Sequence, residues 1–179
     1  NGIGRGGKSG GNDKQLELIN TRMNTTINKV LVSVIAVCYN HTKFVKQTLD
    51  SIISQTHKNI QLIIIDDCSV DNSVEIINTW IKTNKCNVEF IKNQQNIGLC
   101  ATLNKALSYV KADYLQIIAC DDILVSDKIE KQLSYLLNNP DISIVCSNFV
   151  TIDENGNELS VAHKIPNDIP DNLFDKIIT

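Results

Sequence analysis

From Val30 onward, short apolar runs alternate with stretches in which apolar residues recur at helical spacing. The run VLVSVIAVCY at 30–39 is continuous and β-branched, the pattern of a strand buried on both faces. Residues 44–55 place Val45, Leu49, Ile52 and Ile53 on one helical face. IQLIIID at 60–66 predicts a second buried strand, and Asn72 with Glu75 has the spacing of a capping box for a helix that buries Val74, Ile77 and Ile81. NVEFIK at 87–92 reads as a short third strand. Leu99, Leu103, Ala106, Leu107 and Val110 form a helical stripe, and DYLQIIA at 113–119 is the next strand. Ile129, Leu133, Leu136 and Leu137 mark another helix, ended by Asn138-Asn139-Pro140. ISIVCS at 142–147 predicts a fifth strand, and Glu154-Asn155-Gly156-Asn157 a hairpin turn. Such β-α alternation with buried strands implies a mostly parallel α/β sheet flanked by helices.

Composition narrows the function classes. The chain has 179 residues, 17 basic and 20 acidic, for a net charge of −3. That length suits one domain or the front part of a larger one. The charge is too small and too evenly spread for a nucleic-acid partner or an anionic membrane surface. Six of the eight glycines fall in the first eleven residues, so residues 1–28 read as a flexible Gly-rich leader or linker. The longest apolar run, Val34 to Tyr39, is six residues and far too short to span a bilayer. The six cysteines form no C-x-x-C and the three histidines are scattered, which argues against structural zinc. Cys38, Cys120 and Cys146 lie in or beside apolar runs and read as small buried hydrophobes, reduced in a cytosolic protein.

The chemistry gathers at strand ends. Ligands of open α/β sheets bind outside the carboxyl ends of the strands. Tyr39, Asn40 and His41 follow the first strand, Asp66, Asp67, Cys68 and Ser69 the second, and Asp121 and Asp122 the fourth. Carboxylates packed together repel unless a cation or hydrogen-bond donors hold them. Hard oxygen ligands with no His or thiolate partners suit Mg²⁺ or Mn²⁺ bridging to phosphates. Each pair also has a plainer reading, as turn chemistry or helix capping.

SVIAVCYN (33–40), SQTHKNIQLIIIDDCSVDNS (54–73), NIGLCATLNKAL (96–107) and ADYLQIIACDDIL (112–124), followed by DKIEKQLSYLLNNP (127–140), together resemble the donor half of a family 2 glycosyltransferase of Rossmann-like GT-A fold. The resemblance covers about residues 30–150. It implies a nucleotide-diphospho-sugar donor, usually UDP-linked, and inverting transfer to a hydroxyl of a carbohydrate or glycolipid acceptor. By position it sets Val37 and Tyr39 against the nucleotide base, with the Tyr39 ring available to stack. Asp67 would accept the hydrogen bond of the uracil imide, with Asp66 supporting its loop. Gly98 would lie in the turn near ribose and phosphates. Asp121 would face the ribose and Asp122 would bind the metal, Mn²⁺ or Mg²⁺, which neutralises the leaving diphosphate as a Lewis acid. The family implies surface polysaccharide or glycoconjugate synthesis at a cytoplasmic location, with a peripheral position on the inner face of the membrane as an option.

Three positions depart from the family pattern. Ala119 stands where an acid often precedes the Asp-Asp pair, and Leu103 where an Arg often contacts phosphate. Cys68 replaces the usual Gly, which is expected to require only an ordinary φ there. Inverting transfer needs a carboxylate base. The family's base lies well past the metal motif, whereas only 57 residues follow Asp122, so it is expected beyond Thr179. Asp153, Glu154, Asp168, Asp171 and Asp175 read as solvated loop acids. The expected layout is a leader to residue 28, a nucleotide-sugar-binding domain at 29–160 and the start of an acceptor-side region at 161–179.

Other readings were weighed on the same residues. A phosphate-loop match at Gly2–Ser9 lacks the flanking strand and helix it needs. A receiver domain would want its acidic pair after the first strand, where Tyr39 stands. A related nucleotidyltransferase would want a Gly-rich basic loop there. A non-catalytic sugar-nucleotide-binding module fits the same strand ends.

Overall fold

The computed structural model describes residues 27–163, with side chains through Leu159. The Gly-rich leader up to residue 26 and the tail acids Asp168, Asp171 and Asp175 lie outside the described residues. The chain divides after Asn138 into two compact units. The first contains β1 (Val32–Cys38), α1 (Val45–Ile53), β2 (Ile60–Asp66), α2 (Ser73–Asn84), β3 (Val88–Lys92), α3 (Leu99–Leu107), β4 (Tyr114–Ala119) and α4 (Lys128–Asn138). The second contains β5 (Phe149–Ile152) and β6 (Glu158–His163).

The four strands of the first unit form a parallel sheet in the order β3-β2-β1-β4. β1 is central and buried at every position, which explains its unbroken apolar run. Its register aligns Val37 with Ile65 and Ala119, and Cys38 with Asp66. The ends of β1, β2 and β4 therefore lie side by side, as the α/β rule requires. Val34, Ala36 and Ile64 pack on one face against Val45, Leu49 and Ile52 of α1, Ile77 and Trp80 of α2, and Ile129 and Leu133 of α4. Ile35, Val37, Ile63 and Ile65 meet Ala106 of α3 on the other. Each fully buried aliphatic side chain contributes about 1.5–3 kcal/mol by leaving water.

Helical periodicity located the helices but not every buried face. In α1, Thr48 and Ser51 are buried where the expected Ile53 is exposed. In α2, Trp80 is buried and donates its indole N–H to Asp50 of α1 (2.7 Å). Val74 and Ile81 are only half-buried. The expected capping box is not made. Asn72 makes no side-chain cap, and Asp71 instead accepts from the Ser73 and Thr42 amides. In α3 the expected Leu99 is 61% exposed, while Thr102 and Ala106 are buried. Leu137 of α4 is exposed as well.

The expected strand at 142–147 is absent: these residues belong to neither sheet, and Cys146 is exposed rather than buried. An apolar run favours extended backbone, but a strand exists only where a neighbour completes its ladder. The expected hairpin does form, between antiparallel β5 and β6. Asp153 accepts from the Asn155 and Asn157 amides, and Gly156 takes φ 84°.

Candidate functional site: two carboxylate pairs at the sheet edge

The chain leaves β1 through Tyr39, whose side chain is half-exposed. Asn40 follows at φ 59°, a left-handed conformation that Asn tolerates better than most residues. Its amide donates to Ser69 Oγ, and its side-chain oxygen accepts from the Val70 amide (each 2.9 Å). The His41 amide donates to Ser73 Oγ (2.9 Å). With the Thr42 amide on Asp71, the loop after β1 is tied at four points to the segment after β2.

That second loop is built on its carboxylates. Asp66 is fully buried and accepts from both the amide and the hydroxyl of Ser69. For Ser69 to return to Asp66 the chain must turn sharply at Cys68, which lies at φ 62°. This corrects the expectation of an ordinary φ: the position occupied by Gly in the family pattern is left-handed, and Cys adopts it at a steric cost.

Asp67 is 3% exposed. Its Oδ1 accepts from the Asn93 side chain (2.8 Å) and the Ile97 amide (2.9 Å), and its Oδ2 from the Gly98 amide (2.9 Å). Burial alone would push this carboxyl up. The hydrogen bonds from Ile97, Asn93, Thr102 and Gly98 outweigh it and hold the pKa below the ordinary carboxylate value. Asp67 is therefore ionised, and it anchors the loop before α3. In that loop Gly98 takes φ 82° and ψ 161°, a region essentially reserved for glycine. Val37 lies beneath, buried on the α3 face.

Asn93 is a buried hub that the sequence pattern did not reveal. Its side chain donates to Asp67 and to Thr102 Oγ1, and accepts from Lys105 (2.8 Å). It directly follows β3, a strand end whose sequence carries no carboxylate pair or aromatic to mark it.

The loop after β4 is held differently. Thr48 Oγ1 of α1 donates to the Asp122 carbonyl (2.8 Å), and Ser51 Oγ accepts from the Leu124 amide (3.2 Å). Gln55 donates to the Val125 carbonyl and accepts from the Ile129 amide. This polar row at i, i+3 and i+7 beside the apolar stripe of α1 fixes the backbone of 122–129 while leaving both carboxylates exposed. Burial and then the Asp121 charge raise the Asp122 pKa, opposed by His41. His41 Nδ1 lies 3.4 Å from Asp121 Oδ1. Beneath the site, Cys120 is held as a thiol by its hydrogen bond to Cys38 and by burial.

The structure thus brings Val37, Tyr39, Asp66, Asp67, Asp121 and Asp122 to the ends of three adjacent strands, with Gly98 joined to them through Asp67. Among the described residues, no three His, Cys, Asp or Glu side chains converge as a complete metal-binding set. A depression of about 500 Å³ lies beside this edge, lined by residues including Asn40, Phe44 and Asp71 but by none of the four carboxylates.

The sequence model of glycosyl transferase family 2 matches residues 33–177. This chain belongs to that family. A family 2 relative, an uncharacterized glycosyltransferase of Methanocaldococcus jannaschii, is 38% identical over 135 residues, 74% of this chain and 46% of the relative. A UDP-Glc:alpha-D-GlcNAc-diphosphoundecaprenol beta-1,3-glucosyltransferase of Escherichia coli, WfaP, is 37% identical over 106 residues, 59% of this chain and 41% of that protein. Among solved structures, a mannosyltransferase of Pyrobaculum calidifontis in complex with GDP-Man and Mn²⁺ superposes with a TM-score of 0.57 at 18% identity. That match covers 67% of this chain and 39% of the other, and it shows the shared GT-A fold. The chain spans about half the length of the curated relatives it matches. Among the described residues no helix is long and apolar enough to cross a membrane.

Proposed function

We propose that this chain is the donor-binding half of an inverting glycosyltransferase. It takes a sugar from a nucleotide-diphospho-sugar, UDP-linked, for delivery to a hydroxyl of a carbohydrate or glycolipid acceptor in surface polysaccharide or glycoconjugate synthesis. The carrying observation is the pairing, at the ends of β2 and β4 on either side of β1 in one parallel sheet, of a buried ionised carboxylate at Asp67 with two exposed carboxylates at Asp121 and Asp122.

Asp67 is suited to reading a base. An anionic acceptor rewards the imide N–H of uracil, which neutral cytosine lacks, by a charge-assisted hydrogen bond of about 1.5–3 kcal/mol. The WfaP donor, as its name states, carries UDP. The Tyr39 ring supplies a half-exposed stacking surface, Val37 would lie with it against the base, Asp66 holds the turn that presents Asp67, and Gly98 allows close approach of ribose and phosphates.

The second pair fits a divalent cation. Asp121 opposes ionisation of Asp122, and a cation between them removes that opposition. The two acids would hold Mn²⁺ or Mg²⁺, which supplies charge neutralisation at the departing diphosphate. A cytoplasmic position, peripheral to the membrane where the acceptor is a glycolipid, fits such donors. No base is assigned within this chain: Asp153 is committed to its turn.

Calorimetric titration of the chain with UDP, CDP and GDP, with Mn²⁺ and with EDTA, tests this. UDP should bind at least tenfold more tightly than CDP, and EDTA should weaken it. Equal affinity for UDP and CDP would remove Asp67 from base recognition, and metal-independent binding would remove the cation. Sugar transfer by these residues alone would show that the base lies within them.

A further inference from the structure

The imidazole of His41 has no role in the reading above, yet its placement is unusual. Nδ1 is shielded from water and has no hydrogen-bond partner. It faces Asp121 Oδ1 at 3.4 Å, with the His41 side chain 22% exposed and that of Asp121 49%. An orphaned buried ring nitrogen carries an uncompensated desolvation cost unless something fills its lone pair or takes its proton. The separation is also imposed from both sides. The His41 amide is pinned to Ser73 and the Asn40 side chain to the Val70 amide, while Thr48 pins the Asp122 carbonyl.

We propose that His41 Nδ1 is a ligand of the divalent cation beside Asp121, giving the site a mixed nitrogen and oxygen donor set. This rests on the assignment of the cation to the Asp121/Asp122 pair. A spacing of 3.4 Å is long for a strong hydrogen bond. It suits two ligands of one ion, since donors about 2.1 Å from a shared metal and roughly 90–110° apart lie about 3.0–3.4 Å from each other. Two or three protein ligands suffice where substrate phosphates supply the rest, so the lack of a complete protein cage is expected. The half-exposed Asp121 forms the outer wall, and an ion entering from solvent meets it before the nitrogen.

The consequence is selectivity. Imidazole suits first-row transition ions such as Fe²⁺, Ni²⁺ and Zn²⁺, whereas Mg²⁺, Ca²⁺ and Mn²⁺ favour oxygen ligands; between the two ions considered for this site, Mn²⁺, a transition ion, accepts a nitrogen more readily than Mg²⁺. With UDP bound, the chain should prefer Mn²⁺ over Mg²⁺. His41→Phe, which keeps a flat ring and removes the nitrogen, should lower that preference about tenfold while leaving metal-free UDP affinity unchanged.

Pulsed electron paramagnetic resonance of the Mn²⁺–UDP complex reads the bond directly. A nitrogen modulation in the parent chain that changes on ¹⁵N-histidine labelling and vanishes in His41→Phe or His41→Gln establishes the ligand. A bound Mn²⁺–UDP complex whose spectrum shows no imidazole nitrogen overturns the role of His41 and leaves the donor-site reading standing. UDP binding that ignores metal altogether overturns the cation assignment and the His41 inference with it. The parent measurement alone decides the point if a variant fails to fold.

Discussion

The same dipeptide, Asp-Asp, follows β2 and β4, and the two copies behave in opposite ways. Asp66 and Asp67 are buried, and each carboxylate is met by donors from Ser69, Asn93, Ile97 and Gly98. Burial would push Asp67 neutral, and its hydrogen bonds reverse this. Asp121 and Asp122 are exposed, and Asp122 is raised rather than lowered. In the first copy the charge organises the protein, because it holds the loop before α3 in place. In the second copy the backbone is organised from outside, by Thr48, Ser51 and Gln55, and the charges are left for a ligand. Donors brought by the neighbouring loops therefore decide whether a carboxylate at a strand end also holds the fold, as Asp67 does, or is left to a ligand alone.

The sharpest way to break this contrast is to delete one acid from each pair. Asp67→Ala leaves the Ile97 amide without its acceptor and takes one of two acceptors from the Gly98 amide and the Asn93 side chain, and should destabilise the fold by about 3 kcal/mol in urea melts. Asp122→Asn should leave stability within about 0.5 kcal/mol while abolishing the metal's effect on UDP affinity. Equal stability losses would show that both pairs are structural.

Acid titration separates them next. Asp67 and Asp71 are both held below their ordinary pKa values, Asp71 because the hydrogen bonds of Ser73 and Thr42 outweigh burial. A depressed folded pKa means that the unfolded chain takes up protons first as pH falls. The stability these groups contribute is thus complete above the ordinary carboxylate range and is lost as pH drops from there toward their folded values. Melting temperature followed from pH 7 to pH 3 should fall, and less steeply in Asp71→Asn. An unchanged slope in that variant would deny the linkage.

A smaller effect tests the turn that serves the buried pair. Cys68→Gly relieves a left-handed φ of 62° and should stabilise the fold by about 1 kcal/mol, whereas Cys68→Val should cost at least as much. Gly98→Ala meets no atom within 4 Å, so any loss there reports backbone strain alone, about 1–2 kcal/mol. If that variant melts like the parent, the loop near α3 has a second available conformation.

Much of this was legible in the chain itself. Continuous β-branched runs marked β1 and β2 as strands buried on both faces, because a doubly covered strand must be apolar at every position. The order of strands and helices implied the parallel sheet, whose carboxyl ends then gathered Tyr39, Asp66, Asp67, Asp121 and Asp122. Four motifs in sequence carried the family, later matched over residues 33–177. What the sequence could not determine depends on contacts between residues far apart along it. The partner of Asp67 at residue 93, the hold of Thr48 on Asp122 and the approach of His41 to Asp121 span 26, 74 and 80 positions. Periodicity records which side of an element faces the core, not which neighbour fills a lone pair. For the same reason ISIVCS could be recognised as apolar and extended, yet whether it paired was not its own property. Hydrophobic pattern is local because burial depends on one element's own spacing, whereas the charge state and availability of a carboxylate depend on every loop that packs around it. Tertiary structure alone could therefore tell the two acidic pairs apart.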